Sequence, residues 1–254
     1  MTGARTGETE SIATVGDIGV AGIILAAGRS HRMGRTKPLL PLGGEPLVRH
    51  VARAALSSGL AEVIVVVGYR SREVGAALVG LGDRLGVVDN PDYADGQSGS
   101  LRAGLAAVDL RRAAVMVLLG DQPEIDSRVI DRLLAAHAAT GAAIARPSYR
   151  GVPGHPVLFD RTVFPDLSRL RGDAGARSLI RARPSSVVSV EVDASAPRDV
   201  DTPAAYAALV DRWEPAVDGG ADASVDYLDT HRPVDSLDTR RPGESIHRPA
   251  EDRL

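Results

Sequence analysis

Ile23-Ile24-Leu25-Ala26-Ala27-Gly28-Arg29-Ser30-His31-Arg32-Met33-Gly34-Arg35-Thr36-Lys37-Pro38-Leu39 is the stretch on which the reading of this chain turns. It begins as an unbroken apolar run, the pattern of a parallel strand buried on both faces. It then becomes a loop with Gly28 and Gly34 at its bends and Arg29, Arg32, Arg35 and Lys37 along it. A strand running into a glycine-rich cationic loop brings backbone N–H groups up to phosphates. The bland reading of the same loop is a basic surface turn. Two better-known phosphate loops are excluded by spelling. The dinucleotide fingerprint needs G-x-G-x-x-G, and Arg29 and Ser30 follow Gly28. The Walker loop needs Ser or Thr after its lysine, and Lys37 is followed by Pro38.

The chain has 254 residues, room for one α/β domain with a sizeable core and some spare length. Its net charge of −3 gives no global basic field toward nucleic acid or an anionic membrane, and neither partner is expected. With no cysteine there is no disulfide, thiolate metal site or Cys nucleophile, which fits a reducing, cytoplasmic setting. No apolar run approaches the ~20 residues of a membrane span. Lys37 is the only lysine; every other cation in the Lys-plus-Arg count of 30 is arginine. Arginine forks bidentately, whereas an ammonium is a compact point charge suited to following charge on a phosphate.

Taken in order, residues 1–19 read as a flexible leader and 20–213 as the folded domain. The first strand is Ala21 to Ala27. Glu45-Pro46-Leu47 opens a helix with Pro in its first turn, ended by Gly59. Val63 to Val67 is a buried strand, followed by a helix from Ser71 to Val79. Leu85 to Val88 is a weaker strand. Val115 to Leu119 is a fourth, and a helix from Asp126, its N-cap, runs to Thr140. From Ala142 to Phe159 the pattern is irregular and suits edge strands or a small lobe over the site. Val187 to Val192 alternates as a last strand. Thr202 caps a helix that runs to Trp213 with Pro203 in its first turn. Beyond Glu214 the near-copies Val225-Asp226-Tyr227-Leu228-Asp229-Thr230 and Val234-Asp235-Ser236-Leu237-Asp238-Thr239 are charged and Pro-punctuated, and 214–254 reads as a disordered tail.

Strands alternating with helices at this spacing give βαβ units and a mostly parallel sheet. Right-handed crossovers then put the loops after the strands, at Gly28, Gly68, Asp89-Asn90 and Gly120-Asp121, along one crevice. Asp121 directly follows a buried strand and is either a turn residue or a Mg²⁺ ligand, since Mg²⁺ takes one or two carboxylates plus phosphates and water. Asp199 and Asp201, two apart on an extended segment, point the same way, and either reaches a shared metal. Ser98 and Ser100 open a helix, as caps or as an anion or base-edge site. His155 between Gly154 and Pro156 reads as a turn histidine. No Ser-His-Asp or H-E-x-x-H arrangement offers covalent or zinc chemistry.

Leu25-Ala26-Ala27-Gly28, Ser30, Arg32-Met33-Gly34 and Lys37 match L-A-x-G-x-S-x-R-M-G-x-x-K. Through them the chain resembles the MobA-like nucleotidyltransferases, the family related to the molybdenum cofactor enzymes. Further motifs carry that resemblance in order from about Gly22 to Leu209: Gly120-Asp121-Gln122-Pro123, Asp199-Val200-Asp201-Thr202-Pro203, Gly154-His155-Pro156 and Gly172-Asp173-Ala174-Gly175-Ala176-Arg177. The resemblance implies a Rossmann-like three-layer α/β sandwich of the nucleotide-diphospho-sugar transferase type. It implies Mg²⁺ on Asp121 and Asp201, and Lys37, Arg29 and Asp121 as catalytic groups. Leu25, Ala26, Ala27, Gly28, Arg29, Lys37, Gly68, Asn90, Ser98, Ser100 and Asp121 would bind a nucleoside triphosphate, and His155, Asp173 and Arg177 the acceptor. Ala26-Ala27-Gly28 in place of A-G-G favours CTP, and the acceptor implied is molybdopterin. The alternatives are a GTP-using or sugar-phosphate nucleotidyltransferase, and a non-catalytic nucleotide-binding chaperone of a molybdoenzyme. A molybdoenzyme or its chaperone is a possible protein partner.

Overall fold

A computed structural model describes residues 19–30, 33–109 and 111–213. The expected leader (Gly19 apart) and tail lie outside the described residues, as does Arg32 of the cationic loop. The chain enters through strand β1 (Val20–Leu25), then a two-residue hairpin of β2 (Pro41–Leu42) and β3 (Glu45–Pro46), and helix α1 (Leu47–Leu56). Next come β4 (Glu62–Val67), α2 (Ser71–Ala76), β5 (Leu85–Asp89), α3 (Gln97–Ala107), β6 (Ala114–Leu119) and α4 (Ser127–Thr140). They are followed by β7 (Ile144–Tyr149), β8 (Val152–Pro153), β9 (Val157–Asp160), α5 (Phe164–Arg169), α6 (Arg177–Ala182), β10 (Val187–Val192) and α7 (Pro203–Arg212).

The main sheet runs β10-β7-β9-β6-β1-β4-β5, with β8 paired to β7. β1 is parallel to both neighbours, with Leu25 opposite Val66 on one side and Leu119 on the other. Side chains of its central strands alternate between two cores. Ile24, Val65, Met116 and Leu118 meet α1 and α4 on one face. Ile23, Val66, Val115 and Val117 meet α3, α5 and α6 on the other. Burial on both faces is why these strands read as continuous apolar runs. The result is the expected three-layer α/β sandwich.

Asp126 accepts from Arg128 N at 2.8 Å and Thr202 Oγ1 from Ala205 N at 3.1 Å, so the two predicted N-caps form. Several boundaries differ from expectation, among them the end of α2 at Ala76 rather than Val79. β1 ends at Leu25, two residues early: Ala26 keeps a bond to Val66 O, but the paired register stops at Leu25 on both sides. Pro46 is the extended N-cap of α1 rather than part of its first turn, because it is held in the hairpin opposite Pro41. That helix stops at Leu56 rather than Gly59. Of the irregular 142–159 stretch, only the exposed β8, paired with β7 alone, has the expected edge character; β9 runs antiparallel between β6 and β7, with Leu158 and Phe159 fully buried.

The strand order fixes where a ligand can sit. From β1 the chain builds outward through β4 to β5, then β6 returns to the other side of β1. Loops leaving β1 and β6 therefore diverge at their carboxyl ends, and open α/β sheets hold ligands in the gap so formed.

Candidate active site

At that gap lies a crevice of about 780 Å³. Its floor is Leu25 to Ser30 after β1 and Leu119 to Asp121 after β6. The two loops are fastened by Gly120 N donating to Leu25 O at 3.0 Å, and Ala26 N continues the ladder to Val66 O at 2.9 Å. Ser30 takes a left-handed φ of 56°, costly for a residue with a side chain, and Gly34 bends the loop at φ 64°. Ser30 closes the turn twice over, its carbonyl accepting from Met33 N at 2.9 Å and its hydroxyl from Lys37 N at 3.1 Å. Lys37 is thereby brought back over the floor.

Lys37 Nζ donates to Asp121 Oδ2 at 2.5 Å and to Asp201 Oδ1 at 2.7 Å. Burial of the ammonium works to lower its pKa, but the two carboxylates outweigh that and hold it above its ordinary value. Val200 N donates to Asp121 O at 3.3 Å, which docks the Asp199–Asp201 segment beside the end of β6. Asp199 also lines the crevice, but its Oδ1 accepts from Gln122 Nε2 at 2.8 Å. The third wall carries Tyr93, Ala94, Gly96, Gln97 and Ser100, with Asp173 and Arg177 beside them. Arg29 Nη2 donates to Tyr93 Oη at 3.3 Å, and its guanidinium lies 5.2 Å from the Tyr93 ring centroid.

Of the residues singled out from sequence, Leu25, Ala26, Ala27, Gly28, Arg29, Lys37, Ser100, Asp121, Asp173, Arg177 and Asp201 line this crevice together. Gly68, Asn90, Ser98 and His155 stand behind its wall instead. Gly68 underlies Tyr93, whose Cβ would be 2.7 Å from a Cβ added there. Asn90 is buried, donating to Ser100 Oγ at 3.1 Å and accepting from Asp92 N at 3.2 Å. Ser98 is fully buried and donates to Gly172 O at 2.6 Å, tying the start of α3 to the loop that bears Asp173. His155 opens on a separate cavity of about 30 Å³ that shares Leu25, Gln97 and Arg177 with the crevice. Its Nδ1 is buried without a partner. Burial pushes the imidazole below its ordinary pKa, with the Val117 carbonyl and Asp199 opposing. Tyr93 and Gln97 were not singled out; an aromatic just after Asn90-Pro91, in a chain only 3% aromatic, was the available signal.

Residues 22–187 match the MobA-like NTP transferase domain. The chain belongs to that family. Among the relatives of this chain, the nicotine blue oxidoreductase of Paenarthrobacter nicotinovorans is 36% identical over 72% of this chain and 92% of its own length. The molybdenum cofactor cytidylyltransferase of Escherichia coli is 27% identical over 75% of this chain and 95% of its own. A crystal structure of Rv0371c from Mycobacterium tuberculosis in complex with manganese superposes with a TM-score of 0.66 at 32% identity, covering 77% of this chain and 100% of that one. This MobA-like chain therefore shares family with nucleotidyltransferases and fold with a metal-binding relative. No helix among the described residues is long and apolar enough to cross a membrane.

Proposed function

We propose that the protein transfers CMP from CTP to the phosphate of a molybdopterin-type acceptor, releasing pyrophosphate. The observation that carries the reading is the meeting of Lys37 with Asp121 and Asp201, 84 and 164 residues away, on the floor of the crevice. An acceptor phosphate oxygen forms a bond to the α-phosphorus while the bond from that phosphorus to the pyrophosphate oxygen breaks. The acceptor is already ionised at neutral pH, so no protein base is required.

Among the described residues no three acidic or histidine side chains converge as a self-sufficient metal cage. Two carboxylates suit Mg²⁺, which keeps several waters and completes its shell with substrate phosphates. Asp121 and Asp201 would hold it, and when bound it supplies charge neutralisation at the α-phosphate. Lys37 and Arg29 stabilise charge on the transferring and leaving phosphates. The Ala26–Gly28 backbone fixes the nucleotide; Cβ at Gly28 would meet nothing within 4 Å, leaving that side of the loop open to a ligand. Gly68, Asn90 and Ser98 support the nucleotide wall from behind rather than touch the ligand. Asp173 and Arg177 face the acceptor, with Arg177 able to take its phosphate bidentately. His155 serves the same side from its adjoining cavity.

The deciding experiment measures pyrophosphate release from CTP and from GTP with Mg²⁺, with and without molybdopterin. Release that needs CTP and the pterin supports the proposal. Release with GTP moves the base assignment, and binding without turnover favours a nucleotide-binding chaperone. The printed name of the 36% identical relative motivates a second reading, an oxidoreductase. Reduction of nicotine blue by a nicotinamide dinucleotide tests it directly. The carboxylate pair favours the first reading, because a phosphate-bound metal needs it and hydride transfer does not.

A further inference from the structure

One nitrogen touches both carboxylates that are proposed to hold the metal. Lys37 Nζ sits 2.5 Å from Asp121 Oδ2 and 2.7 Å from Asp201 Oδ1. The three side chains are 16%, 20% and 32% exposed, so the ammonium neutralises a pair of acids partly withdrawn from water. A divalent cation drawn to these two carboxylates and an ammonium already shared between them repel each other, so each weakens the hold of the other.

The backbone of Lys37 is pinned: its N–H donates to Ser30 Oγ at 3.1 Å and its carbonyl accepts from Leu40 N at 3.0 Å. Any exchange must therefore occur by swinging the side chain alone. A lysine suits that task. Its ammonium re-aims on a flexible stem, whereas a guanidinium would grip the carboxylates as a rigid fork. The chain uses arginine at every other cationic position and keeps its one lysine here.

We propose that Lys37 is a resident counter-cation that competes with the divalent metal for Asp121 and Asp201. The metal then enters when a nucleoside triphosphate offers the ammonium another anion. The inference rests on the reading of these two acids as metal ligands. It makes metal and nucleotide binding mutually dependent, and the dependence is reciprocal by linkage. A metal ion without nucleotide is held weakly, and a nucleotide without metal leaves Lys37 shared between carboxylates and phosphates.

The test uses Mn²⁺ as probe and the full chain, with free Mn²⁺ followed by its electron paramagnetic resonance signal and corrected for Mn²⁺–CTP in solution. In the unaltered protein CTP should tighten Mn²⁺ binding by about tenfold or more, the usual size of a coupling between sites. Lys37→Met should bind Mn²⁺ without nucleotide about tenfold more tightly than the unaltered protein, with the CTP effect reduced to match. Lys37→Arg, which keeps the charge, should not show that gain. A melting experiment gives a second readout: Mn²⁺ alone should raise the midpoint of Lys37→Met more than that of the parent. Should the Met variant not fold, Lys37→Gln, which keeps a hydrogen-bonding group between the acids, replaces it.

Equal Mn²⁺ affinity in the parent and the neutral variant overturns the competition while leaving the metal site standing. A gain in Lys37→Arg as large as in Lys37→Met overturns it as well, since charge is then not the gate. Absence of Mn²⁺ binding in every protein, with or without CTP, removes the metal reading itself and the inference with it.

Discussion

The indole of Trp213 lies on Gly43, where an added Cβ would fall 2.7 Å from Nε1. This contact closes a small core of its own: Met33 and Leu40 from the Lys37 loop, with Leu42 of β2 and Leu47 of α1 just after it, meet Val200 and Leu209 from the segment that bears Asp201. Tyr206 adds a hydrogen bond from its hydroxyl to Pro41 O, and His50 meets the Trp213 ring edge-on at 4.9 Å. Lys37 and Asp201 come together because their carriers share this core.

Gly43→Ala is therefore expected to loosen the site from a distance. Gly43 sits at φ 57°, so alanine adds the left-handed penalty of ~1 kcal/mol to the clash with the indole. Trp213 is the only tryptophan, and its fluorescence reports the change without labelling. The variant should shift that emission toward a more water-exposed value, lower the melting midpoint and slow pyrophosphate release. Unchanged emission alongside slow release would show that the small core is not what aligns Lys37 with Asp201.

The acids should separate by role. Asp121→Asn and Asp201→Asn each remove an oxygen that would hold the metal, and pyrophosphate release should fall by about 100-fold or more. Asp199→Asn should cost much less, since Gln122 already occupies its Oδ1. Steady-state rates at saturating Mg²⁺ check this; an Asp199 effect as large as that of Asp201 would reassign the second ligand.

How far the sequence carried these assignments follows from the kind of signal each part leaves. β1, β4 and β6 were legible because strands buried on both faces are apolar throughout, and the N-caps at Asp126 and Thr202 because the cap is a local bond. β9 was not legible as an inner strand: four residues after a Gly-His-Pro turn carry no period long enough to place them. The convergence of Lys37 with Asp121 depends on two loops flanking β1, and alternation of strands and helices implied it. Behind-the-wall residues were harder. Gly68, Asn90 and Ser98 follow strands or open helices as crevice residues do, and only packing turns them inward, whereas Tyr93 faces the crevice because Gly68 gives it room.

That last pairing has its own consequence. In Gly68→Ala the new methyl would displace Tyr93, and with it the partner of Arg29. On the proposed function, loss of an exposed cation–π and hydrogen-bond contact should raise the KM for the nucleotide by about tenfold or less, with kcat changed little. Tyr93→Ala should give the same direction, and Tyr93→Phe a smaller rise because the ring remains. A fall in kcat with constant KM would place Arg29 on the transferring group rather than on nucleotide binding.

His155 predicts how stability depends on acid. Its imidazole is held below the ordinary 6.5 chiefly by burial, with the Val117 carbonyl, Asp199 and Asp121 pulling upward and Arg177 downward. The unfolded chain therefore takes up this proton first as pH falls, and the folded state must do so against its surroundings. The contribution to stability is whole above about 6.5 and is lost progressively from there down to the lowered folded value, after which it is constant. Replacing the ring removes the group from both states. Denaturant melts of the parent and of His155→Leu between pH 8 and pH 4 (about the range over which this term changes) should show a steeper acid loss in the parent. Because the readout is the difference in slope, a uniform destabilisation by the leucine does not disturb it. Parallel slopes would mean that the ring takes up its proton as readily in the fold as in water, which a buried, unpartnered Nδ1 should not allow.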